Sequence, residues 1–345
     1  MTRSEPSSHS VTHLVSETPI TRSNGTLPFR ASWWCRHAHL QTLWPYLFRL
    51  RPPVAMTRER LELPDGDFLD LDWAGTEFNE AQTPIVLVLH GLEGSSRSKY
   101  ATGILHALHQ RRWRGVVLHF RGCSGEPNRL PRGYHSGETG DITYVVNLLR
   151  QRYPASPLFV VGYSLGGNAL LKWLGESRAT TPIRAAVAVS VPFLLNRAAD
   201  RMENGFSSVY QWELMQRMRR SVLKKAQRTS LPLDLEKIPR LHTFREFDDA
   251  VTAPLHGFDG VDDYYRRSSS RQYLKSITTP TLIIHSLDDP FMTRDAVPTR
   301  EELSNAIELE LYPNGGHVGF VSGALPWRPH YWLETRIPDF IARYR

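Results

Sequence analysis

Short apolar runs punctuate the chain at Ile85–Leu89, Gly115–His119, Leu158–Val161, Ala185–Val189, Thr281–Ile284 and Ile307–Leu311. Uninterrupted runs such as Ile85–Leu89 predict strands buried on both faces. Between them, Lys99–Gln110, Asp141–Arg150 and Asn168–Glu176 space their apolar residues as amphipathic helices do. Alternation of this kind predicts an α/β fold, a mostly parallel central sheet with helices on both faces. Upstream, Leu61 and Leu63 alternate with polar residues before Asp65-Gly66, and Leu69, Leu71 and Trp73 do so after it. That pattern predicts a β-hairpin. A stretch of about 193–279 interrupts the rhythm and includes the basic helical run Gln211–Arg228. An insertion there would lie above the carboxyl edge of the sheet, the place for a helical lid.

The ends differ from this core. Residues 1–27 are rich in Ser and Thr and read as a disordered tail without the apolar segment of a secretory signal. Residues 28–345 read as one domain carrying the insertion. With 41% hydrophobic and 22% charged residues, the composition is that of a globular protein and excludes a disordered chain. No run reaches the roughly 18 apolar residues of a membrane span. The formal charge of +7 is compatible with a solvated basic surface or with peripheral contact with anionic lipid. No nucleic-acid motif accompanies it. The two cysteines, Cys35 and Cys123, form neither a disulfide framework nor a metal-ligand spacing, so a reducing, cytoplasmic setting is expected.

Candidate chemistry centres on Gly162-Tyr163-Ser164-Leu165-Gly166, which follows the run Leu158–Val161 and leads into a helix. Alone, the pattern also fits a tight glycine turn with a surface serine. Its strand-to-helix setting is that of a nucleophile elbow, where the serine hydroxyl projects above the sheet. The partners of such a serine follow in the chain order Ser, acid, His. Thr281–Ile284 runs on to Asp288-Asp289, and Ile307–Leu311 runs on to Gly315-Gly316-His317. By distance from the strand end Asp289 is the better-placed acid, with Asp288 as a turn residue or cap. Only a structure separates the two. A lone loop histidine would ordinarily be structural; here order and loop type make His317 the candidate base. Oxyanion donors are expected at the Leu165 N–H and at Leu92, in the loop His90-Gly91-Leu92-Glu93-Gly94. That loop also reads as an ordinary strand-to-helix turn, with His90 shaping it. The stretch Phe120–Asp141 reads either as a wall of the pocket or as structural, with Thr139 or Asp141 capping or charge-complementing the helix N-terminus, and Cys123 reads as a small buried residue. No metal or organic cofactor is expected.

These motifs, together with Phe29–Trp34, His39-Leu40-Gln41-Thr42, Phe120–Gly125 and Thr252–Phe258, resemble those of the YheT-like family of α/β-hydrolases. The resemblance runs from about Pro28 to the C-terminus. It implies a serine hydrolase with Ser164, Asp289 and His317 as triad, and places His39–Thr42 beside the active site. Eukaryotic relatives include phospholipase-like hydrolases and medium-chain ethyl-ester synthases. The expected activity is cleavage of a small-molecule ester or lipid through an acyl-serine. The alternatives are acyl transfer to an alcohol, a phospholipase-like enzyme whose basic helix near Arg217–Arg228 meets anionic lipid, and a non-catalytic binding fold.

Overall fold

The computed structural model describes residues 28–345; the expected tail, 1–27, lies outside the described residues. Eight strands form one sheet: β1 (Thr57–Glu62), β2 (Phe68–Ala74), β3 (Ile85–Leu89), β4 (Arg114–His119), β5 (Leu158–Tyr163), β6 (Ala185–Val189), β7 (Thr281–Ser286) and β8 (Ile307–Tyr312). Their order is β1-β2-β4-β3-β5-β6-β7-β8. β2 runs antiparallel to both neighbours, and the strands from β4 to β8 are mutually parallel. Leu89 pairs with Leu118 on one side and Gly162 on the other, so the loops after β3, β4 and β5 leave the sheet together.

Ten helices complete the described fold: α1 (Ala38–Phe48), α2 (Lys99–Gln110), α3 (Gly140–Arg152), α4 (Leu165–Ser177), α5 (Leu195–Met202), α6 (Ser207–Ala226), α7 (Phe244–Phe247), α8 (Ala253–His256), α9 (Val261–Ser268) and α10 (Leu333–Ala342). The pleat sends alternate strand residues to opposite faces. Leu87 and Leu89 pack with Ile142 of α3 and Leu170 of α4. Val86 and Val88 pack with Ile104 of α2 and Phe340 of α10. Helices therefore cover both faces, as the alternation predicted.

The insertion between β6 and β7 comprises α5 to α9 and carries two small cores of its own. Leu195, Ala199, Val261, Tyr264 and Tyr265 form one, and Met215, Met218, Ile238, Phe247 and Val251 the other. Its basic run is partly engaged internally. Arg219 donates to the carbonyls of Pro239 and Leu241, Lys224 to Gly125 and Lys225 to Arg132, while Arg217 pairs with Glu213. Arg220, Lys224 and Arg228 of the same run are exposed.

Three elements were not anticipated: α1, the hairpin of β9 (Val321–Leu325) and β10 (Arg328–Tyr331), and α10 after it. Pro45 lies inside α1 and has no N–H to offer the Gln41 carbonyl four residues earlier. Gly319 packs on that carbonyl so tightly that a Cβ there would sit 2.1 Å from it. The capping expectation for α3 also changes. Thr139 occupies the N-cap position without a capping bond. Glu138 Oε1 instead accepts from the N–H groups of Gly140 and Asp141, while the Thr139 hydroxyl donates to Glu176. Asp141 turns away because Arg121 claims it in a bidentate pair of 2.9 and 2.7 Å.

Beyond the β2–β4 ladder, Arg121 ties the turn of the hairpin to α3. It follows β4, is buried, and binds Asp65 and Asp67 of the β1–β2 turn at 2.8 and 2.9 Å as well as Asp141 of α3. Removing one partner of a buried ionic group leaves the others uncompensated. Arg121→Leu is expected to lower stability by about 3–5 kcal/mol in urea unfolding. Arg245→Ala, at an exposed pair with Asp262, is expected to change it by under about 1 kcal/mol.

Candidate active site

Ser164 joins β5 to α4 with φ 52° and ψ −120°, a left-handed conformation that a non-glycine residue adopts at a cost. Its N–H donates to Val189 O at 2.8 Å, which holds the turn against β6. Gly166 makes the elbow possible. A Cβ on it would lie 2.5 Å from the carbonyl oxygens of both Leu89 and His90.

His317 stands over this serine on the loop after β8. Its Nε2 is 2.9 Å from Ser164 Oγ, and its Nδ1 is 2.9 Å from Asp289 Oδ2 and 3.1 Å from Oδ1. Asp289, buried after β7, also accepts the Phe291 N–H at 2.9 Å. The Phe291 ring lies flat on the His317 ring, with centroids 4.0 Å apart and planes within 4°. These contacts restrict the imidazole on one face and at Nδ1. Asp288 has a different task. It accepts from Ser286 Oγ and from the Gly316 N–H at 2.9 Å, bridging β7 to the histidine loop. The carboxylate against the imidazole is Asp289.

In the loop after β3, three N–H groups already have acceptors. Gly91 N–H donates to Tyr100 Oη at 2.8 Å, Glu93 N–H to Tyr134 Oη at 2.8 Å, and Gly94 N–H to Gly91 O at 3.0 Å. Leu92 N–H is not among these committed donors. Leu165 is the first residue of α4, where an N–H has no intrahelical acceptor. His90 shapes the loop as expected. Its Nε2 accepts from Phe120 N–H at 3.2 Å, so its Nδ1 is the protonated nitrogen that donates to Gly91 O at 2.7 Å. Burial pushes this imidazole down to about 3, which keeps it neutral.

A cavity of about 420 Å³ opens from Ser164 beneath the insertion. Leu92, Met202, Met218, Val251 and Phe291 give it an apolar lining. Polar groups also face it, among them Asp248, Lys225 and His135. Asp248, in the π-helical turn Asp248–Thr252, accepts from Thr252 Oγ1 at 2.7 Å and Tyr265 Oη at 2.8 Å, and burial pushes its carboxyl up to about 6. Lys225 is pushed down to about 8 by burial. Burial, with neighbouring His256, holds His135 well below the usual histidine range. Cys123 borders the cavity and is half-buried; desolvation raises its thiol, followed by the charge of Glu93, so it is a poor nucleophile. Among the described residues no group of three or more His, Cys, Asp or Glu side chains could hold a metal ion, and no helix is long and apolar enough to cross a membrane.

The segment His39–Thr42 was expected beside the site without its contacts, and the role of Asn168 was missed from sequence. Thr42 Oγ1 accepts the His317 N–H at 3.0 Å, tying the histidine loop to α1. Gln41 is fully buried and exchanges bonds with Val321, at 2.7 Å from its N–H and 2.9 Å to its carbonyl. The His39–Thr42 segment therefore packs beside the site, through Gln41 and Thr42. Asn168 donates to Ser136 O and Ser268 O and accepts from Ser270 N–H, fastening α4 to the insertion. The available signal was a polar residue at a helix position that should be apolar.

Residues 84–324 match the family model described as the alpha/beta hydrolase fold. YheT of Escherichia coli (strain K12) is 46% identical over 310 residues, covering 89% of this chain and 91% of that protein. The human protein named Phospholipase ABHD3 is 31% identical over 315 residues, covering 89% of this chain and 77% of its own length. In shape, the chain is similar to the Pyrococcus furiosus esterase Pf2001, with a TM-score of 0.53 at 17% identity over 84% of this chain and 92% of that one.

Two outcomes follow from this geometry. Asp289→Asn is expected to slow fluorophosphonate labelling of Ser164 by about 10³–10⁴-fold, and Asp288→Asn by about tenfold or less, in a competition assay. Stability should fall on acidification. The unfolded chain takes up a proton near pH 6.5 that native His90 refuses until about 3. Between those values each unit of acidification costs up to about 1.4 kcal/mol from this residue. Urea midpoints from pH 7.5 to 5 should show a shallower decline in His90→Asn, from a lower starting stability.

Proposed function

The chain belongs to the YheT-like branch of the α/β-hydrolase family, and on that basis we propose that it cleaves carboxylic esters through an acyl-Ser164 intermediate. The observation that carries this reading is the unbroken relay from Ser164 Oγ through His317 to Asp289, with 2.9 Å at each link, at the mouth of an apolar cavity. Ser164 Oγ attacks the ester carbonyl as its proton passes to His317 Nε2. The carbonyl oxygen, now negative, takes the N–H groups of Leu92 and Leu165, each worth about 3 kcal/mol in the transition state. Collapse breaks the bond to the alcohol oxygen, and His317 returns the proton to that leaving group. Water then attacks the acyl-enzyme, giving its proton to His317, and the carboxylic acid leaves as Ser164 recovers its hydrogen. Asp289 accepts the Nδ1–H throughout, fixing the tautomer and stabilising the imidazolium.

The cavity lining supports an apolar acyl group, and the human relative's name points to lipid esters. Where an alcohol reaches the acyl-enzyme before water does, the same steps yield a new ester.

Hydrolysis of p-nitrophenyl esters from acetyl to palmitoyl is expected in the wild type. Ser164→Ala should lose it by at least about 10³-fold. Added ethanol divides the product between acid and ethyl ester, and that ratio measures transfer against hydrolysis. Intact esters together with an unlabelled Ser164 under fluorophosphonate would overturn the proposal in favour of a binding fold.

A further inference from the structure

Helix α1 is built inside out. Its sequence carries three leucines, a tryptophan, a tyrosine and a phenylalanine and no charged residue, yet its one fully buried side chain is Gln41. An apolar helix ordinarily turns those residues to a core. Here Leu40, Tyr46, Leu47 and Phe48 face outward, and Leu50 just beyond is 89% exposed. The start of α6 lies alongside. His39 Nδ1 is 3.0 Å from Tyr210 Oη, the His39 ring is 4.6 Å from Phe206, and Arg217 donates to Tyr46 Oη. Phe206, Val209 and Trp212 of this segment are also exposed. Trp33 extends the surface through its bond to Ala324 O, beside exposed Leu325 and Trp327. Exposed apolar surface shared by two adjoining helices, α1 and α6, marks an interaction site.

Its charge and position indicate the partner. Arg36 precedes α1. Arg51 and Lys99 stand at its far end, where Lys99 Nζ donates to Leu47 O and the two cations repel each other. Arg201 adds positive charge beside His39. Glu203 is exposed nearby; Glu213 is occupied by Arg217. Exposed Trp, Phe and Leu with a rim of Arg and Lys is the make-up of a surface that lies in a lipid headgroup region. The patch also leads to the site. Phe206 touches Tyr210, Tyr210 touches Phe291 at 5.0 Å between centroids, and Phe291 stacks on His317.

We infer that the outward face of α1 and the start of α6 dock this protein on an anionic lipid surface, with the mouth of the Ser164 cavity turned toward the acyl chains. The delivery of substrate rests on the acyl-serine reading; the docking itself does not.

The test is co-sedimentation with vesicles of phosphatidylcholine alone and of phosphatidylcholine mixed with phosphatidylglycerol, using wild type and Ser164→Ala. Both should bind the mixed vesicles, and added salt should weaken binding. A failed ester assay then leaves the binding result standing, and failed binding leaves the ester result standing. Leu50→Ser and Trp212→Gln should each reduce partitioning by about tenfold or more, and Arg51→Gln by about fivefold. Fluorophosphonate labelling of Ser164 without lipid should be unchanged in all three, showing that they fold. Three results would overturn the inference: no binding to either vesicle, binding that the variants leave intact, or a lipid-free dimer that Trp212→Gln dissolves, which would make a second copy the occupant. Binding that appears only after removal of residues 1–27 would do the same, by assigning the face to that segment.

Discussion

The carbonyl oxygens at the end of β3 press on the first turn of α4 so closely that residue 166 has no room for a side chain. Much of the molecule is arranged around this contact. It brings the loop after β3 against the serine turn after β5. It also forces Ser164 into a conformation that costs energy and that only a rigid surround can maintain. That surround is a sheet whose central strands are buried on both faces, with the elbow's own N–H tied to β6. A loosely packed sheet would let the turn relax, and the hydroxyl would lose its alignment with His317.

Buried polar residues then pin remote segments to this frame. Arg121 draws the β1–β2 turn to α3, Asn168 draws α4 to the insertion, and Gln41 draws α1 to the segment after the histidine loop. Each satisfies several groups at once. Burying such groups is tolerable only when nearly every donor and acceptor is met, and losing one partner costs more than the bond itself. They fix which segment meets which, a choice that interchangeable apolar contacts leave loose.

The central sheet was readable because its strands are short, uninterrupted and bounded by loops, and because Leu158–Gly166 combines a strand with a turn of known mechanical need. The relay residues were readable from their order along the chain and their place after strands. Helix α1 was not. Its apolar residues suggest a core element, and nothing local announces that Gln41 is its buried side and that its leucines face out. The start of α3 was only partly readable for a related reason: Asp141 does lie in its first turn, but it does not cap. Thr139 and Asp141 are both good capping residues by type, but Arg121, distant in sequence, claims Asp141 and leaves Glu138 to cap. Asp288 and Asp289 are chemically identical neighbours, and only the direction each leaves the strand separates a loop brace from the partner of His317.

The bond between Thr42 and the His317 N–H joins residues 275 positions apart. During synthesis the chain emerges from its N-terminal end, so α1 leaves the ribosome long before the segment it supports. Ser164 and its elbow can form while the histidine loop is still unmade. A nascent chain therefore holds Ser164 without its contact to His317, and the apolar face of α1 lies open beside an unfinished protein. Contact between Ser164 and His317 forms only once the segment after β8 has been made, so the geometry of the site is among the last features of the fold to be set.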